Sequence, residues 1–289
     1  MAKELFDILE KQGLFIGADE KYQNAKAVLL GLPMDYTVSY KPGTRSGPTA
    51  IRNASHAIEE YSLYLDRNLS SIDYCDIGDL GLPFGNVAAS LKMMEMAARE
   101  IVADEKFPVF LGGEHLVSFP SIKVFAEKYS ELRVVHFDAH ADLRENYYGE
   151  EASHSTVMRK VSEMLGPQKV YQFGIRSGIK EEFQYASLNT RMFTEEVIAP
   201  LTQVISELEG KPVYVSLDID VVDPAFAPGT GTQEPGGCTS RDIIKAVHLL
   251  KNQNVVGFDL VEVCPQLDYS ERTAILAAKI VREILLMFG

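Results

Sequence analysis

Six short apolar runs, at residues 27–30, 107–111, 132–137, 170–173, 213–217 and 255–260, punctuate this chain, and each has the length of a buried β-strand. Between them lie longer segments with apolar residues three or four apart, at 87–103, 120–129, 156–165, 195–208, 240–250 and 270–288; Ile243, Val247 and Leu250 show the spacing. Strands apolar on both faces that alternate with helices predict a parallel sheet covered by helices on each side, an α/β fold. No repeat of fixed period and no domain-separating linker interrupts the pattern, so residues 1–289 read as a single domain. The Pro- and Gly-rich stretches 41–48 and 227–237 read as shaped loops.

Charge narrows the partners. The chain carries 28 Lys and Arg against 41 Asp and Glu, a net charge of −13, and no basic run is long enough to neutralise a row of phosphates, which excludes nucleic acid. An acidic field suits a small cationic substrate. Lys3, Glu4, Asp7, Glu10, Lys11, Asp19 and Glu20 break up the first twenty residues, so no signal peptide is expected there, and no later run approaches a membrane span. A cytoplasmic protein with no membrane partner is expected. Cys75, Cys238 and Cys264 are odd in number and far apart, which argues for buried thiols and against disulfides or a thiolate zinc site.

The chemistry sits where the apolar runs end. In Val134-Val135-His136-Phe137-Asp138-Ala139-His140-Ala141-Asp142 a strand runs straight into Asp, His and Asp spaced two apart, and strand alternation would send all three the same way. Asp218 and Asp220 repeat the device after 213–217, and Gly112-Gly113-Glu114-His115 closes 107–111. Carboxyl ends of parallel strands share one edge, where such folds bind ligands. Four carboxylates gathered there would drive protons on and pKa values up unless a cation sat among them. His115, Asp138, His140, Asp142, Asp218 and Asp220 are enough for two divalent ions if two carboxylates bridge, and two metals roughly 3.5–4 Å apart clamp a hydrolytic water. Oxygen-rich ligation with imidazole and no thiolate favours manganese or a similarly hard ion. A lone Asp-x-His-x-Asp would serve as well for a surface turn; three clusters that each end an apolar run favour metal.

At these residues the chain resembles the ureohydrolases, the family of arginase, agmatinase, guanidinobutyrase and formiminoglutamase. Four blocks carry the likeness over nearly the whole length: 112–115, 137–142, 216–224 and Val261-Glu262-Val263-Cys264-Pro265. The resemblance implies a three-layer αβα arginase-like fold around a parallel sheet of about eight strands, two Mn2+ per subunit, and assembly into trimers or hexamers. It implies that His115 and Asp142 bind one manganese, His140 and Asp220 the other, and that Asp138 and Asp218 bridge both. The implied activity is hydrolysis of agmatine to putrescine and urea, a step of polyamine biosynthesis, through a hydroxide between the metals. Asp142 would orient that hydroxide and relay its proton, Glu262 would take the guanidinium in a paired hydrogen bond, and His154 would shuttle protons near the leaving amine.

Substrate choice falls to residues 143–152, which resemble the bacterial agmatinase pattern. Tyr147 and Tyr148 could line a narrow pocket, while Glu145, Glu150 or Glu151 could receive a distal ammonium. Arg144 would suit a distal carboxylate, so guanidinobutyrate stays open, as do arginine and other ureohydrolase substrates. A metal-dependent deacetylase is a more distant alternative, disfavoured by retention of all six ligands, and so is a non-catalytic binder. Ala141, where the family more often has Thr, should affect packing only. His136 shares even parity with the ligands but, among Val135 and Phe137, reads as a satisfied core histidine; His56 and His248 read as packing residues, and Cys264 as structural.

Overall fold

The structure, a computed structural model, describes residues 3–19 and 21–289; Met1, Ala2 and Glu20 lie outside the described residues. Its strands are β1 (Leu9–Glu10), β2 (Ala27–Leu32), β3 (Tyr61–Ser62), β4 (Arg67–Asn68), β5 (Tyr74–Leu80), β6 (Phe107–Gly112), β7 (Arg133–Phe137), β8 (Val170–Ile175), β9 (Arg191–Thr194), β10 (Pro212–Asp218) and β11 (Asn254–Val261). Nine of them form one sheet in the order β1-β5-β2-β6-β11-β10-β7-β8-β9, parallel except for β1, which pairs antiparallel with β5. β3 and β4 form a separate hairpin.

The six apolar runs read from sequence are β2, β6, β7, β8, β10 and β11. They were legible because the sheet is covered on both faces, so the alternating side chains of each strand enter two different apolar clusters. Val135 and Phe137 point into one cluster with the helices Gly47–Ser55, Ile198–Val204, Ser240–Leu249 and Arg272–Phe288. Val134 points into the other, with Val87–Ala103, Ser118–Lys128, Val157–Leu165 and Lys180–Asn189. The result is the α/β architecture of three layers, with nine strands where about eight were expected.

Two departures explain each other. β5 escapes an apolar scan because Asp76, Gly78 and Asp79 interrupt it, and the helix Gly47–Ser55 occupies a stretch whose start read as loop. That helix carries Arg52, fully buried, whose guanidinium meets Asp76 at 2.8 Å and Asp79 at 2.6 Å. Each charge is tolerated in the core only because the other is present. Downstream, the expected helix 195–208 is shorter: Glu195 adopts a left-handed φ of 66°, the α-helix spans Ile198–Val204, and a 3-10 turn follows at Ile205–Leu208. Among the described residues no helix is long and apolar enough to cross a membrane.

The central strands β6, β11, β10 and β7 are consecutive neighbours, all parallel. Their carboxyl ends therefore lie side by side, and they are the strands that lead into His115, Glu262, Asp218 and Asp138.

Candidate metal centre and substrate cavity

Each chain exit is shaped locally. After β6, a Cβ on Gly113 would lie 2.0 Å from the Met34 carbonyl oxygen, so only glycine lets the chain pass there. Glu114 then donates its backbone N–H to Met34, and His115 opens a 3-10 turn. After β10, the Asp218 carboxylate accepts from the Asp220 N–H at 2.8 Å and caps the turn Ile219–Val221. After β7 the strand stops at Phe137, so Asp138, His140 and Asp142 do not converge by strand alternation. Asp142 instead takes a left-handed φ of 52°, and Glu262 after β11 one of 64°. Non-glycine residues held in that region cost of order 1–3 kcal/mol each and cluster at functional sites.

The six His and Asp residues come together. His115 Nδ1 faces Asp138 Oδ2 at 3.0 Å, Asp142 Oδ2 at 3.3 Å and Asp218 Oδ2 at 3.3 Å. His140 Nδ1 faces Asp220 Oδ2 at 2.8 Å and the other oxygen of Asp138, Oδ1, at 3.6 Å. Asp138 thus presents one oxygen to each histidine, the arrangement of a bridging ligand. His115 Nδ1 is buried and makes no hydrogen bond with any described residue, although three carboxylate oxygens surround it. Its other nitrogen, Nε2, lies 3.0 Å from Ser216 Oγ, whose hydroxyl donates to Asp259 at 2.7 Å. The relay keeps the proton on Nε2 and leaves the Nδ1 lone pair aimed among the carboxylates.

Titration behaviour points the same way. Burial, and then the charge of Asp138, push Asp142 up to about 7. Burial with Asp220 and Asp138 nearby raises Asp218 well above the carboxylate range, and burial with Asp138 raises Asp220. Burial alone would lower the histidines, yet the carboxylates raise His115 well above its usual value and His140 to about 12. Asp138, which burial would raise, is held well below its usual value by His136 and His115. A site that lifts Asp142, Asp218 and Asp220 together with His115 and His140 is one that favours added positive charge. Two divalent cations satisfy it, and a donor set of carboxylate oxygen and imidazole nitrogen fits a hard ion such as manganese.

His136 is a satisfied core histidine, as expected, but one of its partners is a candidate metal ligand. It is fully buried, its Nε2 meets Asp138 Oδ2 at 2.8 Å, its ring lies 5.1 Å from that of His115, and Gln172 Nε2 lies 3.1 Å from its Nδ1. Its even parity with Asp138 and His140 was the available signal. His248 pairs with Glu283 at 2.8 Å and His56 lies 3.0 Å from the Leu14 carbonyl, both remote packing roles. Cys264 is buried, with burial raising its thiol to about 11, as a structural cysteine should be.

A cavity of about 270 Å³ opens above the carboxylates, lined among others by His154, Glu262, Arg144 and Tyr147. Glu262 accepts the His115 N–H at 2.8 Å, and burial with Glu114 nearby raises it to about 8. His154 has its two ring nitrogens at 3.5 Å from Thr37 Oγ1 and 3.3 Å from Ser39 Oγ. Thr37 is itself clamped by Glu114 Oε2, which accepts from both its N–H and hydroxyl at 2.8 Å. Burial lowers His154 to about 4, so the imidazole is neutral at physiological pH, below the near-neutral value expected of a shuttle. Ala141 is buried, with its Cβ toward Gly178 and on the cavity wall.

The loop after Asp142 supplies less than expected. Tyr147 lines the cavity, but Tyr148 is 92% exposed, and Glu145, Glu150 and Glu151 are exposed and outside the wall. Arg144 is already engaged, stacked over Tyr147 at 5.1 Å and 3.8 Å from Glu182. Apart from Glu262 and the candidate metal ligands, the acids lining the cavity are Glu182 and Glu234, from segments remote in sequence from residues 143–152.

Known proteins resemble this chain over nearly its whole length. The agmatinase of Bacillus subtilis strain 168 is 51% identical over 286 residues, 98% of this chain and 99% of that protein. The agmatinase of Bacillus cereus is 50% identical over 284 residues, 97% and 98% of the two chains. Among solved structures, the agmatine ureohydrolase of Thermoplasma volcanium superposes with a TM-score of 0.88 at 31% identity, covering 99% of this chain and 97% of that one. The arginase family profile matches residues 25–287, which take in the ends of β6, β7, β10 and β11, and the chain belongs to that family of ureohydrolases.

Proposed function

We propose that this protein hydrolyses agmatine to urea and putrescine, using two manganese ions held by His115, Asp138, His140, Asp142, Asp218 and Asp220. The observation that carries the reading is Asp138, whose two oxygens divide between His115 and His140 in a pocket that favours positive charge. The 50% and 51% identities to agmatinases over nearly the full chain support the substrate.

Bound there, two divalent ions make a water acidic enough to act as hydroxide at neutral pH. The protein does the rest. Glu262, on the cavity wall with one oxygen fixed by the His115 N–H, takes the substrate guanidinium; a cation beside it replaces the proton that burial favours. Asp142 orients the attacking oxygen and accepts its proton. The oxygen adds to the guanidinium carbon, the bond from that carbon to the alkyl nitrogen breaks, and the alkyl nitrogen departs as amine with a proton delivered by His154. Being neutral at rest, His154 first takes up the proton that Asp142 removed from the attacking oxygen and then gives it to the departing nitrogen, so that proton ends on the amine. Thr37, Ser39 and Glu114 hold its ring in place.

We place the enzyme in the cytoplasm as a trimer or hexamer; light scattering should give the mass of three or six chains, and the mass of a single chain would refute the assembly. The test of the activity is stoichiometric: manganese-loaded protein given agmatine should release urea and putrescine in equal amounts, and Asp138→Ala should release neither. Urea without putrescine, or full activity in Asp138→Ala, would overturn the reading.

A further inference from the structure

A substrate with a guanidinium at one end and an ammonium at the other needs a second acid, at the outer end of the cavity. Besides the candidate metal residues, His154 and Glu262, three charged side chains line the cavity: Arg144, Glu182 and Glu234. Glu182 is 3% exposed and both its oxygens are committed, Oε1 to the Leu143 N–H and Oε2 to the Ile179 N–H, each at 2.8 Å. It also neutralises Arg144. Glu234 differs: among the described residues no donor or cation is paired with its carboxylate, and the segment that carries it is anchored.

Arg176 does the anchoring. Its Nη2 donates at 2.7 Å to both the Glu234 carbonyl and the carbonyl of Asp220, and its Nε adds 3.1 Å to Glu234. Asp223 accepts from Gly236 and Gly237 at 2.7 and 3.1 Å, holding the next residues. One guanidinium therefore fixes the backbone of an uncommitted acid relative to the backbone of a candidate metal ligand. An unpaired carboxylate on the cavity wall, carried by an anchored backbone, is what a distal ammonium requires.

We infer that Glu234 is the specificity-determining residue of this cavity, receiving the distal ammonium of the substrate. The inference rests on the reading of the chain as an enzyme acting on agmatine, and it moves the selection from residues 143–152 to the loop after β10. With Arg144 neutralised by Glu182, these three side chains keep one net negative charge, which disfavours a distal carboxylate.

The experiment compares agmatine with n-butylguanidine, which has the same guanidinium and four carbons but no ammonium. The wild type should favour agmatine in kcat/KM, and Glu234→Gln should reduce the agmatine/butylguanidine ratio by about 10- to 100-fold, the worth of one hydrogen bond to a charged group, with metal content and butylguanidine turnover kept. Glu234→Lys should move preference toward 4-guanidinobutanoate. A ratio unchanged in Glu234→Gln overturns the inference and leaves the activity standing. A fall in both substrates together would mean a structural role and also overturns it. No urea from either substrate with the wild type would overturn the activity itself, and the inference with it.

Discussion

Replacing His136 with phenylalanine isolates the contact that links the buried layer beneath the site to both metal positions. The ring volume is nearly kept, so no large cavity opens. What is lost is the 2.8 Å contact from Nε2 to Asp138 Oδ2 and the 3.1 Å contact between Nδ1 and Gln172. Gln172 keeps its bonds to the Ala141 carbonyl at 2.8 Å and from Thr190 at 3.0 Å, so the fold loses only about 1 kcal/mol there. For a chain of this length that lowers the melting temperature by about 2 °C. The larger effect falls on Asp138: a hydrogen bond to a charged group is worth about 1.5–3 kcal/mol, and losing a partner behind a ligand typically costs about 10–100-fold in metal affinity. Both positions should weaken, because Asp138 offers one oxygen to each histidine. Manganese titration followed by calorimetry reads the two affinities directly. Affinities within twofold of wild type, or weakening at one position alone, would refute the reasoning.

Glu262→Gln keeps a hydrogen-bond acceptor for His115 but removes the charge that meets the guanidinium; turnover should fall by about 100-fold or more with two manganese ions still bound, measured by metal analysis beside the urea assay. Arg52→Met leaves Asp76 and Asp79 buried without a cation, and chemical denaturation should show a loss of about 3–5 kcal/mol, far more than any substitution of an exposed ion pair such as Arg99 with Glu127. Chelation should destabilise the protein as well: with manganese at about 100–1,000 times its dissociation constant, binding contributes about 2.7–4.1 kcal/mol per site, or about 5–7 °C of melting temperature for one site, and a melting curve indifferent to chelator would count against metal binding.

The central strands were readable because both faces are buried, which leaves an uninterrupted apolar run with ligands at its end; β7 into Asp138 and β10 into Asp218 are the plainest cases. β5 was not, since its Asp76 and Asp79 are stabilised by Arg52 from a helix whose start read as loop, a pairing no local pattern records. The site residues were legible as types and spacings, but their convergence was ascribed to strand alternation, whereas left-handed Asp142 and Glu262 and a capped turn at Asp218 aim them. His136 showed the right parity and was set aside for its apolar neighbours; its partner, Asp138, became visible only in three dimensions. The rest of the cavity wall was the least legible part. Glu234 reaches the cavity through the grip of Arg176 on a distant backbone carbonyl, so attention fell on acids nearer in sequence that face solvent.

The measurement that bears most directly on the account is urea release by the protein as manganese is titrated in, with agmatine, arginine and 4-guanidinobutanoate supplied in parallel. The account predicts that activity saturates at two ions per chain and that agmatine has the highest kcat/KM of the three. Saturation at one ion, or a preference for arginine or 4-guanidinobutanoate, would contradict it.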